Sequence, residues 1–137
     1  MSLLRAFLLL VPITVALDAL WLGVIAKQLY HQSLGPLLRL KDGALDPVWL
    51  SAALVYVCIP LGIAAFVLPR AEGSVWLAIG WGALFGFVLY GVYEFTNHAL
   101  LKGWPMHVVA IDLVWGMVLC GVSAALAQAI MTWLGWK

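Results

Sequence analysis

Four long apolar segments, separated by short polar stretches, dominate the sequence. They run over residues 3–26, 48–68, 74–100 and 106–134. An α-helix of about 20 apolar residues is long enough to cross a hydrocarbon core of ~30 Å. The pattern therefore predicts an all-α fold, an integral membrane bundle of four transmembrane helices in a single domain over residues 1–137. Three connections between four helices place both termini on the same side of the membrane. We call that side A, and side B carries residues 27–46 and 99–105.

The composition supports the membrane interpretation and excludes one class of partner. Hydrophobic residues make up 66% of the chain and charged residues 9%, against ~45–50% and ~25% in soluble domains. A soluble protein of this length could not bury so much apolar surface, so the lipid bilayer is the expected environment. The net charge of +1 and the absence of a basic stripe give no case for a nucleic-acid partner.

Three carboxylates interrupt the apolar segments at a similar depth. Asp18, Glu94 and Asp112 each lie six to eight residues from the side-B end of their segment, roughly 9–12 Å below that surface. A charged group facing lipid costs ~2.5–3.5 kcal/mol near a helix centre, so these three are expected to face inward in a polar pocket. Asn97 and His98 follow Glu94 by three and four residues and share its helix face.

Three further residues complete the predicted polar pocket. Tyr90 and Thr96 would orient a bound group, and Lys102 with His98 would modulate the charge. Three close carboxylates repel each other, so at least one should be protonated, paired with a cation or bound to one. The paired Glu-x-x-His motif of dimetal bundles is absent, as are haem, phosphate-loop and dinucleotide motifs. We therefore expect no metal and no cofactor, and no catalytic residue is assigned.

Small residues and tryptophans predict where the helices pack. Gly82 and Gly86 form a small-xxx-small pair in the third segment, and Gly116 begins a similar row in the fourth. Trp21 and Trp115 each close a hydrophobic-Asp-x-x-Trp sequence, at 17–21 and 111–115. The echo is either an inverted repeat or a shared packing need. Each aspartate accordingly belongs to a functional centre or hydrogen-bonds a neighbouring indole and locks the bundle.

At these residues the chain resembles the domain of unknown function family 2177, a group of small bacterial membrane proteins. The sequence Tyr-Glu-Phe-Thr-Asn at 93–97, followed by Lys-Gly-Trp-Pro at 102–105, matches the family's signature. Residues 17–23, 86–91, Asp112 and 115–116 extend the likeness over nearly the whole chain. In the family the acid at the position of Glu94 is more often Asp. The resemblance implies a four-span protein of the bacterial inner membrane whose activity is not assigned.

The sequence leaves three functions open. The first is binding or conduction of a small polar species through the acidic pocket, or assembly with a partner there, either a second copy of the chain or another membrane protein. The second is an enzyme or accessory factor in lipid modification, with Glu94 or Asp112 as general base or metal ligand; the family's genes often lie near lipid-modifying ones. The third is a structural subunit of a larger membrane complex.

Overall fold

The computed structural model describes residues 2–136, and the predicted all-α membrane bundle is confirmed. Within those residues four helical segments are long and apolar enough to cross a membrane: Leu3–Ile25, Trp49–Ala71, Val75–Leu100 and Met106–Trp133. We call them the first to fourth spans. The third and fourth spans are single helices, α5 and α6. The first span consists of α1 (Leu3–Leu20) and a π-helical turn, Trp21–Ile25.

The second span is interrupted by a second π-helical turn and extends further than the sequence indicated. Its elements are α3 (Trp49–Gly62), the turn Ile63–Val67 and α4 (Leu68–Ala71). Pro60 lies in α3, three residues before that turn, and it cannot donate a backbone hydrogen bond. Helix interruptions of this kind are common at such positions, and the chain remains helical past Pro69 until Ala71.

The side-B connection after the first span is folded against the bundle. It contains α2 (Lys27–Leu34), a 3₁₀ turn (Gly35–Leu37) and the strands β1 (Leu40–Lys41) and β2 (Ala44–Leu45). The strands pair antiparallel through a two-residue turn in which Asp42 and Gly43 both have positive φ, 53° and 78°. Asp-Gly is a preferred sequence for this turn geometry, so the hairpin is encoded locally.

The four spans pack in a ring, with the order first, second, third, fourth. The tightest pairing is between α5 and α6, and α1 packs against both α6 and α3. The second span meets the third through its side-A half, Ile63–Ala71. On side B, α2 lies near the start of α6, and Tyr30 and Leu34 share one apolar cluster with Val108.

The side-A half of the bundle is packed mainly by apolar side chains. Leu10, Ile63 and Leu119 are fully enclosed, with small residues such as Ala64 and Ala124 between them. Two polar residues of α6, Ser123 and Gln128, are also buried in that half. The three buried carboxyl groups, by contrast, lie in the side-B half, towards α2 and the hairpin.

Candidate functional site

A cavity of about 230 Å³ opens in the side-B half of the bundle. The first, third and fourth spans form its inner walls, and α2 with the hairpin covers it. Its wall carries two carboxylates, three phenol groups, two indoles, a lysine and a histidine, together with four leucines. The lining residues are Asp18, Trp21, Leu22, Lys27, Tyr30, His31, Leu34, Leu38, Leu45, Tyr90, Tyr93, Asp112 and Trp115.

Asp18 has a hydrogen-bond donor on each carboxylate oxygen. The Tyr56 hydroxyl donates to Oδ2 at 2.6 Å, and the Trp115 indole N–H donates to Oδ1 at 2.9 Å. Bonds to a charged acceptor are the stronger class of hydrogen bond, and they offset much of the cost of enclosing the carboxylate. Asp18 thereby links the first span to the second and the fourth.

The two aspartate-tryptophan sequences meet at the cavity wall, and the tryptophan of each supports the aspartate of the other. Trp21 and Trp115 stack with ring centroids 4.5 Å apart and planes within 5°. Trp115 donates to Asp18 on the first span. Trp21 donates to the Tyr30 hydroxyl at 3.0 Å, and Tyr30 in turn donates to Asp112 on the fourth span. Each tryptophan therefore supports the aspartate of the other sequence, directly or through Tyr30.

Tyr30 is a buried residue of α2 whose hydroxyl reaches into the bundle. Burial raises the pKa of its hydroxyl well above the ordinary value, and the hydrogen bond to Asp112 raises it further. The hydroxyl therefore stays protonated at physiological pH and continues to donate to the carboxyl group of Asp112. A second contact fixes α2 in place, because Ser33 Oγ and His107 Nε2 are 2.8 Å apart.

Glu94 is fully enclosed and lies beside Asp112. Its Oε2 accepts a hydrogen bond from the Trp104 indole at 2.7 Å. Its Oε1 is buried with no hydrogen-bond partner among residues 2–136. Glu94 is thus a fully enclosed carboxyl group with one of its two oxygens satisfied.

The predicted pocket residues divide into two groups in the structure. Asp18, Tyr90 and Asp112 line the cavity, and Glu94 is buried next to Asp112. The other four lie outside the cavity lining: Asn97 is half-buried, while Thr96, His98 and Lys102 are at the protein surface. His98 instead makes a 3.1 Å contact through Nδ1 with the backbone oxygen of Trp104, at the turn between α5 and α6.

The three glycines among the predicted packing residues lie at the contact between α5 and α6. A Cβ atom placed on Gly82 would be 2.6 Å from the carbonyl oxygen of Cys120, and one on Gly86 would be 2.0 Å from that of Gly116. At Gly116 a Cβ would meet the Tyr90 ring at 2.4 Å. These glycines bring the two helices together and set Tyr90 against the wall that carries Asp112.

Six polar or aromatic residues of the site were not among the predicted pocket and packing residues: Lys27, Tyr30, His31, Tyr56, Tyr93 and Trp104. Tyr56 carried a usable signal, since it lies eight residues after Val48 and thus at the depth of Asp18. Trp104 belongs to the sequence signature, but its hydrogen bond to Glu94 depends on how the turn folds back over α5. Within residues 2–136 no group of three or more histidine, cysteine, aspartate or glutamate side chains is placed to hold a metal ion.

The fold and the polar site define a class: a small helical membrane protein with four spans and a cavity in one half of the bundle. The model of one family, a predicted membrane protein family designated as the domain of unknown function 2177, matches residues 3–129. The chain belongs to that family, which confirms the resemblance in its signature residues. No curated protein and no solved structure matches the chain.

Proposed function

We propose that this protein is a binding protein of the bacterial inner membrane that holds a small polar group in the side-B cavity. The cavity itself carries the proposal, because about 230 Å³ of space is lined by hydrogen-bonding groups at a depth where lipid offers none. Polar groups enclosed in a membrane bundle are costly unless they are satisfied. A ligand with polar atoms would meet that requirement here.

The closed side-A half supports binding over conduction. Beyond Asp18 and Trp115, the side chains of Leu10, Ile63 and Leu119 are fully enclosed. The buried polar residues Thr14, Ser123 and Gln128 do not line the cavity. A polar species that enters from side B is therefore expected to meet mainly apolar packing and to leave by the way it came. A single copy of the chain thus suits a binding site with one entrance.

A lipid-modifying enzyme is the second candidate, and one observation favours it. Asp112 is in the cavity wall, and Glu94 lies behind it with one carboxyl oxygen unpartnered. Two neighbouring carboxyl groups are able to act as a general acid and a general base. Recovery of a chemically altered molecule from the cavity after incubation would favour this activity over simple binding.

Native mass spectrometry of the protein in mild detergent tests the binding proposal. The wild-type protein should retain a bound molecule. Leu38→Trp should lose it because Leu38 lines the cavity and the larger ring would fill part of the space. Leu37→Trp is the matched control, since Leu37 is the neighbouring residue, is 54% exposed and lies outside the lining. A wild-type protein with no bound molecule, or the same molecule retained by Leu38→Trp, would contradict the proposal.

A further inference from the structure

A second, larger space adjoins the polar cavity and opens sideways between the second and third spans. This groove has a volume of about 580 Å³. One face of α3 and the side-B half of α5 form its walls, and apolar atoms predominate. The lining residues are Ser51, Leu54, Val55, Cys58, Ile59, Leu89, Tyr90 and Tyr93.

The groove exists because the second and third spans diverge towards side B. Through Ile63–Ala71 the second span packs against α5, whereas α3 packs against α1. The spans meet at Gly62, where an added Cβ would lie 2.3 Å from Cζ of the Phe85 ring. From Ile59 to Ser51 the open wall of α3 is about 12 Å long at ~1.5 Å per residue. An extended hydrocarbon chain suits a wedge of this shape within a bilayer.

Two tyrosines connect the groove to the polar cavity. Tyr90 and Tyr93 line both spaces, so the apolar groove ends where the polar wall begins. A molecule that filled both would need a flexible apolar part and a polar end. The bilayer supplies molecules of that kind to a lateral opening without any passage through water.

The polar groups of the cavity indicate which charge the polar end of the ligand should carry. Both oxygens of Asp18 already accept hydrogen bonds, and Asp112 accepts one from Tyr30. Lys27 is exposed and lines the cavity, and His31 lines it with Nε2 buried and without a partner among residues 2–136. A cationic donor and an unpaired imidazole together favour a ligand that brings a negatively charged acceptor.

We infer that the site binds an anionic membrane lipid, with one acyl chain in the groove and the head group in the cavity beside Lys27 and His31. The inference rests on the proposed function and adds the chemical class of the ligand. The acyl chain lies against α3 and reaches the level of Gly62. Tyr90 and Tyr93 lie at the junction between chain and head group.

Competition between two lipids tests this inference directly. The protein is equilibrated in mixed micelles with equal amounts of phosphatidylglycerol and phosphatidylcholine, and the retained lipid is identified by native mass spectrometry. Phosphatidylglycerol should predominate, and Lys27→Gln should reduce its excess by about tenfold through loss of a charged contact. Lys41→Gln is the control, because Lys41 is on the hairpin but does not line the cavity. Equal retention of both lipids by the wild type would overturn the choice of an anionic head group.

A matched pair of substitutions on α3 tests the groove. Val55→Trp fills the groove and should abolish lipid retention. Val57→Trp makes the same change two residues away, outside the groove lining, and should leave retention intact. The two valines are similarly exposed, 47% and 42%, so the control reproduces the general effect of a bulky ring on this helix. Unchanged retention in Val55→Trp would overturn the assignment of the chain to the groove.

The wild-type chain also carries its own reporter, so the test does not depend on a folded variant. Cys58 is exposed in the groove, while Cys120 is buried. Phosphatidylglycerol should slow alkylation of Cys58 by N-ethylmaleimide more than phosphatidylcholine does, and Cys120 should react only after unfolding. Inorganic phosphate alone should give no protection, because it lacks a chain. Equal alkylation rates with and without phosphatidylglycerol would overturn the inference.

The outcomes separate this inference from the function on which it rests. If the bound molecule is lost in Leu38→Trp but retained in Val55→Trp, the proposal of a polar ligand in the cavity stands and the proposal of a lipid fails. Loss of lipid in both variants supports the two statements together. Retention in both variants would remove the cavity and the groove alike as binding sites.

Discussion

Replacement of Gly86 by alanine should loosen the pairing of α5 and α6 on which the polar site depends. A Cβ at this position would lie 2.0 Å from the carbonyl oxygen of Gly116 and 2.5 Å from its carbonyl carbon. Ordinary contact begins at 3.4 Å, so the new methyl group is about 1.4 Å too close to the nearest atom. Both atoms belong to the backbone of a helix, so a side-chain rotation cannot relieve the overlap.

Two effects of opposite sign determine the expected magnitude. Alanine is the better helix former and should stabilise an isolated helix by roughly 0.5–1 kcal/mol relative to glycine. Overpacking a tight contact costs typically ~1–3 kcal/mol, and a clash between two backbones belongs at the upper end of that range. We therefore expect Gly86→Ala to lower the free energy of unfolding by about 1–2 kcal/mol.

Gly80→Ala is the matched control on the same helix. A Cβ at Gly80 meets nothing within 4 Å, so only the gain in helix propensity applies. The two alanine variants should consequently differ by about 2–3 kcal/mol, with the wild type between them. Reversible unfolding in mixed micelles of a denaturing and a mild detergent measures this difference. The same helix displacement would move Tyr90 and Glu94 away from Asp112, so retention of the bound molecule should also fall in Gly86→Ala.

One result would refute the packing argument. If Gly86→Ala were as stable as Gly80→Ala, α5 and α6 could not approach as closely at Gly116 as the structure shows. The register that sets Glu94 beside Asp112 would then need another cause.

Two further predictions concern the hydrogen bonds of the buried acids, with unfolding in detergent again as the measurement. Tyr56→Phe leaves Asp18 Oδ2 without its 2.6 Å donor and should lower the free energy of unfolding by about 1–3 kcal/mol. Trp104→Phe removes the 2.7 Å donor to a fully enclosed carboxyl group, that of Glu94, and should have a loss of similar size. Trp76→Phe, at an 82% exposed tryptophan, should stay within about 0.5 kcal/mol of the wild type. A loss in Trp76→Phe equal to that in Trp104→Phe would show that the hydrogen bond to Glu94 is not the cause.

The spans could be predicted from the sequence because their cause is local. A continuous apolar run of sufficient length is enough to specify a helix in a bilayer, where each backbone group must find its partner within the segment. The depth of Asp18, Glu94 and Asp112 followed from counting residues along helices of known rise. The Asp-Gly hairpin at 42–43 also has a local signal in the sequence.

The partners of the acids could not be predicted because they come from distant parts of the chain. Tyr56 is 38 residues from Asp18, and Tyr30 is 82 residues from Asp112. Each pairing depends on how the spans are rotated and on how α2 folds back, which the apolar pattern does not determine. The turn after α5 has the same effect on Glu94: it brings Trp104 over the carboxyl group and leaves His98 at the surface.

The structure gives the repeated aspartate-tryptophan sequence a physical reason. Asp18 and Trp21 lie three residues apart and share a helix face, as do Asp112 and Trp115. The first and fourth spans run antiparallel and are in contact, so each aspartate comes opposite the tryptophan of the other sequence. One short sequence used twice therefore builds a mutually supporting unit with its indoles stacked at 4.5 Å.

That unit relates the two roles considered for the acids, which are to lock the bundle and to form part of a functional centre. By satisfying Asp18 and supporting Asp112 through Tyr30, it lets carboxyl groups lie in the bundle without facing lipid. The same contacts fix the inner wall of the cavity, whose lining also includes Lys27 and His31 of α2. The acids thus hold the wall in place, and in the lipid site that we propose the selection of the head group falls to α2, which lies outside the four spans.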